Sequence, residues 1–391
     1  VVGHALPFTQ TGYTIRTHET VKALRQAGVD ATVVVQGGVY PSPGSVDHEG
    51  IEYVVLDAAA RGRTPWPMWL QSNINSLAHH VRKVRPGILH AHSDFLNALI
   101  AEKVGEAFDI PVVYEQRGFW EDSWWSRVIE RNAETFEIVR DLPVPDAYRL
   151  RQLREADARA RADHVVTLSP LMAEHALVEN RRLGLPSPSI TVVSNAVNPD
   201  RYADIERDVD LAASVGLTGK VIGYISSMVP YEGIGTLVQA FGILRDALAL
   251  ARGMDDPTAG LLAEALTQRA DRDGQGRVAD DLTRLASAVL MVKDQPDPHL
   301  LLVGSGESVE NLAGAATPES GIHVMGSVPH ESVGAYYSLI DLFVVPRDPY
   351  AVSDLVTPLK PFEALATGRT LLVSSVRALA QLASESAGAA V

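Results

Sequence analysis

His299-Leu300-Leu301-Leu302-Val303-Gly304-Ser305-Gly306-Glu307 is the stretch that sets the architecture. Leu300 to Val303 run without a polar residue, so this strand has no solvent face and its sheet is covered on both sides, as in parallel α/β sheets. The two glycines then turn the chain towards a helix start. Backbone N–H groups in such a turn can cradle a phosphate or nucleotide, and the same turn is also an ordinary way to end a buried strand.

Runs of the same kind recur at 31–35, 51–56, 87–91, 111–114, 164–168, 190–197, 220–225, 322–325, 341–345 and 370–373. Segments of helical period separate them, among them 14–27, 69–84, 94–107, 171–183, 234–247, 331–339 and 377–384. Strand and helix in alternation predict βαβ units with helices on both faces of each sheet. The alternation runs to about residue 197 and restarts at Lys220, which predicts one domain over 1–205 and a second over 206–391. A polar stretch, 249–297, reads as an insertion in the second, and 121–163 reads as one or two long helices on the first.

Composition narrows the function. With 48 acidic against 34 basic residues the net charge is −14, so nucleic acid is not the expected partner. The absence of cysteine removes disulfides, thiolate zinc sites and a cysteine nucleophile, and suits a reducing cytoplasm. No apolar run approaches the ~18–20 residues that cross a bilayer, and the N-terminus lacks a secretory signal. The chain opens in an apolar run without a methionine, so residues are expected ahead of Val1.

Several motifs fall at predicted strand ends. After the first run, Thr9-Gln10-Thr11-Gly12-Tyr13 leads into a helix near Thr14, either an anion-holding loop or a tight turn. It is not the three-glycine dinucleotide fingerprint, which argues against an NAD enzyme. His90 and His92 share a strand face, as structural histidines or as ligands, and a metal would need a third ligand that the sequence does not display. Glu115, Arg117 and Trp120 follow another strand, as substrate contacts or as a structural ion pair. In Thr357-Pro358-Leu359-Lys360-Pro361-Phe362-Glu363-Ala364-Leu365-Ala366-Thr367-Gly368, Lys360 can neutralise a phosphate and Glu363 can accept from ribose hydroxyls, or Glu363 can simply complement the helix dipole.

In this order the pieces resemble family four of the retaining glycosyltransferases. The resemblance rests on Gly12 to His18, the His92 segment, Glu115 to Trp120, Ser194 to Val197, Gly223 to Gly233 and Thr357 to Gly368. It implies the GT-B fold, two Rossmann-like domains with parallel sheets facing across a cleft. It also implies a nucleoside-diphosphate sugar donor (UDP-, GDP- or ADP-linked), a hydroxyl acceptor, and no metal or other cofactor. Donor contacts are then expected at Gly12, Tyr13, Ser227, Gly304, Asp354, Thr357 and Glu363. Arg16, Glu115, Arg117, Trp120 and Asn195 are expected near the acceptor and transferred sugar, and His92 at the chemistry.

Two departures stand out. The family's Arg and Lys that clamp the diphosphate are replaced by Ser227 and Glu232, which leaves Lys360 and Arg347 as the expected clamp. The first of the family's paired glutamates falls on Leu355, with Asp354 one residue early. Alternative readings are a non-hydrolysing sugar-nucleotide epimerase and a catalytically weak sugar- or nucleotide-binding protein of the same fold. Arg16, Lys22 and Arg25 on the first helix form either a solvated face or a peripheral membrane contact of a cytoplasmic enzyme. The chain also stops soon after Val373, where the family continues into further helices.

Overall fold

Three consecutive valines show how the first sheet is buried. Strand β1 (Val33–Val35) sends Val33 and Val35 into one cluster with Val2, Val21, Ile51 and Tyr53, and Val34 into another with Trp69, Leu77, Ile100 and Tyr114. Both faces are apolar because both are covered by helices. The computed structural model describes the chain except residues 41, 132–143, 203–204, 254–287, 290, 311, 313–315, 387–388 and 391. Most of the expected insertion, and part of the 121–163 stretch, lie outside the described residues.

Contacts divide the chain into two compact units, Val1–Ala196 with Tyr350–Leu359, and Val197–Pro349 with Lys360–Val391. The division after Ala196 falls ahead of the boundary expected at 205, and ten residues from far along the chain pack with the first unit.

In the first unit, β2 (Gly44–His48) and β3 (Ile51–Val55) form an antiparallel hairpin, and β1 pairs parallel with β3. Strands β4 (Leu89–His92), β5 (Val112–Gln116), β6 (His164–Thr167) and β7 (Ile190–Val192) pair parallel in that order. Val1 and Val2 join the two sets: Val2 bridges to Val35, and the His92 N–H donates to the Val1 carbonyl at 3.0 Å. With the hairpin strand β2 set aside, the order is 3-2-1-4-5-6 followed by one more strand. Helices α1 (Gly12–Gln26), α2 (Trp66–Val84), α3 (Phe95–Phe108), α4 (Trp120–Arg131), α5 (Asp146–Arg161) and α6 (Pro170–Arg182) complete this part. Side-chain caps fix three of their starts: Thr11 and Thr14 reciprocally on α1, Asp94 on α3 and Ser169 on α6. The late segment adds the short helix Ala351–Leu355, whose Leu355 packs with Phe119, Leu168 and Met172.

The second unit has a parallel sheet ordered β10-β9-β8-β11-β12-β13, again 3-2-1-4-5-6. Its strands are β8 (Val221–Ile225), β9 (His299–Val303), β10 (Ile322–Val324), β11 (Leu342–Val345), β12 (Thr370–Val373) and β13 (Ala389–Ala390). Leu300 to Val303 are fully buried, as their lack of alternation requires, each contributing about 1.5–3 kcal/mol over an exposed side chain before entropy is counted. The flanking helices are α7 (Val209–Val215), α8 (Ile234–Arg252), α9 (Glu307–Glu310), α10 (Val333–Leu339), α11 (Lys360–Ala366) and α12 (Arg377–Ser384).

Helix α8 corrects one expectation. Pro230–Arg252 is long and apolar enough to cross a membrane by length and composition, contrary to the reading that no run approaches that length. Here one face of it is packed, with Ile234, Leu237 and Phe241 in the cluster around Leu301 and Phe343, while Ile243 and Leu250 are exposed.

In a sheet of this order, ligands bind beyond the carboxyl ends of the strands where the winding reverses. In the first unit that point lies between Val1–Gly3 and β4, and so at His92–Asp94. In the second it lies between β8 and β11, and so at Ser226–Met228 and Pro346–Asp348.

Candidate active site

In the first unit, strand register builds the site. His92 closes β4 and is paired with Glu115 on β5. Glu115 Oε1 accepts from Arg16 Nε and from Arg117 Nε, each at 2.9 Å, and Oε2 accepts from Arg117 Nη2 at 3.0 Å. Burial alone would push the Glu115 carboxyl up, but Arg117 and the hydrogen bond from His90 override it and hold it well below the ordinary carboxylate range. Arg16 also donates to the carbonyls of Val193 and Ser194 and to Asn195 Oδ1, and Asn195 Nδ2 donates to the Thr357 carbonyl at 2.8 Å. Four residues expected near acceptor and sugar thus form one network, with Thr357 at its end.

The hydrogen bonds around Thr17 fix the state of His92. Arg117 Nη1 donates to Thr17 Oγ1 at 2.7 Å, and the Thr17 hydroxyl donates to the Tyr13 carbonyl at 3.0 Å. That hydroxyl proton is therefore spent, so His92 Nδ1, 3.1 Å away, carries the proton and donates to the remaining lone pair. His92 Nε2 is left without the proton, facing Arg117 Nη2 and Glu115 Oε2, each at 3.4 Å. Burial, and then Arg117, push the His92 pKa well below its usual value, so the ring is neutral. Both nitrogens of the expected catalytic histidine are engaged inside the protein.

Thr17 was not among the expected residues. Its position four residues after Tyr13, one helical turn on, is the signal that finds it. His90, His92 and Glu115 also bring three ligand atoms within 4.8 Å of one another, so the third group that the sequence did not display stands on the neighbouring strand. Both Glu115 oxygens are already bonded to guanidinium groups, and a divalent cation would meet that positive charge. The set fits an ion-pair network better than a metal.

Tyr13 and Trp120 pack ring to ring at 5.2 Å. Gly118 makes room for them: a Cβ there would lie 2.5 Å from the Tyr13 hydroxyl. A Cβ on Gly12, at the start of α1, would lie 3.3 Å from Leu359. Of the paired acidic positions, Leu355 is core and Asp354 is partly exposed on the same short helix.

In the second unit, the residue expected to clamp a diphosphate is already committed. Arg347 is 6% exposed, its Nη2 donates to Glu232 Oε1 at 2.9 Å, and its guanidinium lies over the Tyr231 ring at 5.5 Å. Tyr224 donates its hydroxyl to the other Glu232 oxygen. Burial would lower the arginine pKa, and the Glu232 carboxylate reverses this, so Arg347 keeps its charge opposite that carboxylate. Glu232, which stands where the family carries a cation, neutralises the cation proposed to replace it.

Gly304 is likewise structural. Its φ is 133°, a Cβ there would lie 1.8 Å from the Ser226 carbonyl oxygen, and its own N–H donates to the Gly326 carbonyl. The glycine turn lets two strand-end loops touch, and this amide is not free for a phosphate. Ser227 remains exposed beside it.

Helix α11 links β11 to β12, so its first turn lies at the carboxyl edge of the sheet. Lys360 Nζ, on a partly exposed side chain, is 3.6 Å from the buried Glu363 carboxylate. Glu363 Oε2 also accepts from the Tyr337 hydroxyl at 2.7 Å.

Comparison with known proteins bears on the whole chain. A family model described as a glycosyl transferase 4-like domain matches residues 11–196, and one described as glycosyl transferases group 1 matches residues 274–391. Together they span more than three quarters of the sequence. No curated protein matches the chain. Sucrose-phosphate synthase from Thermosynechococcus elongatus is 16% identical, with 95% of this chain and 78% of that one covered and a TM-score of 0.59. HepE from Anabaena, in complex with UDP-glucose, is 13% identical over 97% of this chain and 82% of its own, with a TM-score of 0.55. The catalytic domain of starch synthase IV from Arabidopsis thaliana, bound to ADP and acarbose, is 12% identical over 97% and 83%, with a TM-score of 0.59. These likenesses show the GT-B fold. With the same strand order in both sheets and a glycosyl transferase match in each half, the chain is a glycosyltransferase and belongs to the group 1 family.

Proposed function

We propose that the enzyme moves a sugar from a nucleoside-diphosphate sugar to an acceptor hydroxyl with retention of anomeric configuration, in the cytoplasm and without a metal. The observation that carries this reading is the pair Lys360 and Glu363 in the first turn of α11, a cation beside a buried carboxylate at the carboxyl edge of the second sheet. Lys360 offsets the charge that develops on the departing diphosphate, and Glu363 accepts from ribose hydroxyls. The solved HepE complex contains UDP-glucose and the starch synthase complex contains ADP and acarbose, which supports a nucleotide-sugar donor and a sugar acceptor.

Glu115, the carboxylate nearest His92, is 2% exposed and held by three guanidinium hydrogen bonds. That is the wrong state for a nucleophile forming a covalent glycosyl intermediate. The reading is instead an oxocarbenium-like transition state, with the acceptor hydroxyl attacking the face that the diphosphate leaves. Release of nucleoside diphosphate in step with glycoside, unchanged by a chelator, is the expected assay result. The epimerase alternative requires donor turnover without an acceptor. Lys360→Ala is expected to cut turnover at least about tenfold, ~1.4 kcal/mol in the barrier. Unchanged turnover in that variant would sink the assignment of Lys360. A flat thermal-shift response to UDP-, GDP- and ADP-linked sugars would sink the donor class, since a ligand at 100 times its Kd adds about 2.7 kcal/mol.

A further inference from the structure

The basic residues of α1 do not form a surface. Arg16 is held by Glu115 and three further acceptors, Lys22 pairs with Glu49 at 2.6 Å, and Arg25 donates to the carbonyls of Ala31 and Gly50. Helix α5 is the opposite case. Its inner face buries Glu155, Ala156 and Arg159, while Arg149, Leu150, Leu153 and Arg154 recur one turn apart on the outer face, all exposed. Leu150 is 60% exposed. A soluble helix ordinarily turns such leucines inward.

The neighbouring helix extends this face. Arg151 lies over the Trp124 ring of α4 at 5.2 Å, and Trp125 packs against Trp124 at 6.2 Å and against Tyr148 at 6.0 Å. Asp146, 4.0 Å from Arg149, is the acidic side chain exposed at the start of the same helix. A cluster of arginines, leucines and indoles therefore stands on a chain whose net charge is −14.

We infer that the outer face of α5, with the tryptophan pair of α4, docks on an anionic phospholipid surface. The arginines meet lipid phosphates, the leucines enter the acyl boundary, and the indoles lie at headgroup level. Charge complementarity selects this occupant: a protein so acidic overall is repelled from an anionic bilayer everywhere except at a local basic patch. The exposed leucines favour a bilayer over a nucleic acid, which would use the arginines and leave the leucines in water. The inference is independent of the glycosyl-transfer reading.

The test is co-sedimentation of the full chain with vesicles of phosphatidylcholine alone or mixed with phosphatidylglycerol. Binding is expected to the mixed vesicles only, and to weaken with salt. Arg149→Gln/Arg151→Gln/Arg154→Gln should weaken it by at least about tenfold, from the roughly 1 kcal/mol that each basic residue contributes near an anionic surface. Leu150→Ser/Leu153→Ser should weaken it at unchanged charge, and circular dichroism should show both variants folded, because the side chains are exposed. Equal binding to both vesicle types, undiminished binding of either variant, or binding to a single-stranded oligonucleotide in place of vesicles would overturn the inference.

Discussion

The two units wind their parallel strands in the same order, yet their switch points differ in charge. In the first, a carboxylate is captured: Glu115 lies between Arg16 and Arg117, leaving excess positive charge around a neutral His92. In the second, a guanidinium is captured: Arg347 is held by Glu232, and the charge cancels. The fold selects the place where chemistry can occur, and a few side chains at strand ends decide what that place can do.

The largest effect expected from disturbing this contrast comes from Glu232→Ala. It removes the carboxylate that holds the buried Arg347 guanidinium, which should cost about 3–5 kcal/mol by urea denaturation. The double variant Glu232→Leu/Arg347→Met should recover most of that loss, because an apolar pair is often no worse than a buried ion pair. If the double variant folds but no longer transfers sugar, Arg347 has a role in the reaction after all, and the second switch point is not electrostatically silent.

Two buried carboxylates of the first unit sharpen the comparison with pH. Glu102, on α3, is pushed up to about 7 by burial, and one of its oxygens has no partner. Its folded pKa exceeds its unfolded value, so its contribution is fully present in acid and is lost as pH rises through about 7, by up to about 3 kcal/mol. Glu115 has the reverse sign: its pKa is depressed, and its contribution is present at neutral pH and lost on acidification. Stability curves of Glu102→Gln are expected to lose part of the decline between about pH 4.5 and 7, since burial also pushes Glu155 up to about 7 and Asp122 up to about 6, and to keep the acid limb. A decline of undiminished size in the variant would remove Glu102 from the account.

The smallest effect concerns Thr17. Thr17→Val removes the acceptor that both Arg117 and His92 use, which should cost about 1–2 kcal/mol. Nitrogen-15 spectra of the unsubstituted enzyme should show His92 protonated on Nδ1. A ring protonated on Nε2 would contradict the hydrogen-bond network.

Much of the fold is legible because burial on both faces writes itself as unbroken apolar runs, and each of these runs overlaps a strand. The hairpin strand β2 escapes, since Gly44-Ser45-Val46-Asp47-His48 is mostly polar and exposed, and only the Glu49-Gly50 turn signals it. At the site, the sequence displays the replaced cations at Ser227 and Glu232 but not the destination of Glu232. Its partner Arg347 lies 115 residues away and meets it only through the adjacency of β8 and β11. The company of His92 is hidden for the same reason, because Glu115 arrives by strand register. Helix starts, set by neighbours three residues apart, are readable; partnerships across a sheet are not.

The ten residues that return to the first unit also bear on how the gene can be divided. A fragment ending at Ala196 would lack Leu355 and Val356, the cover over Phe119, Leu168 and Met172, and would carry an uncovered apolar patch prone to aggregation. A two-piece version of this enzyme therefore calls for a permuted chain, in which codons 350–359 travel with the amino-terminal half.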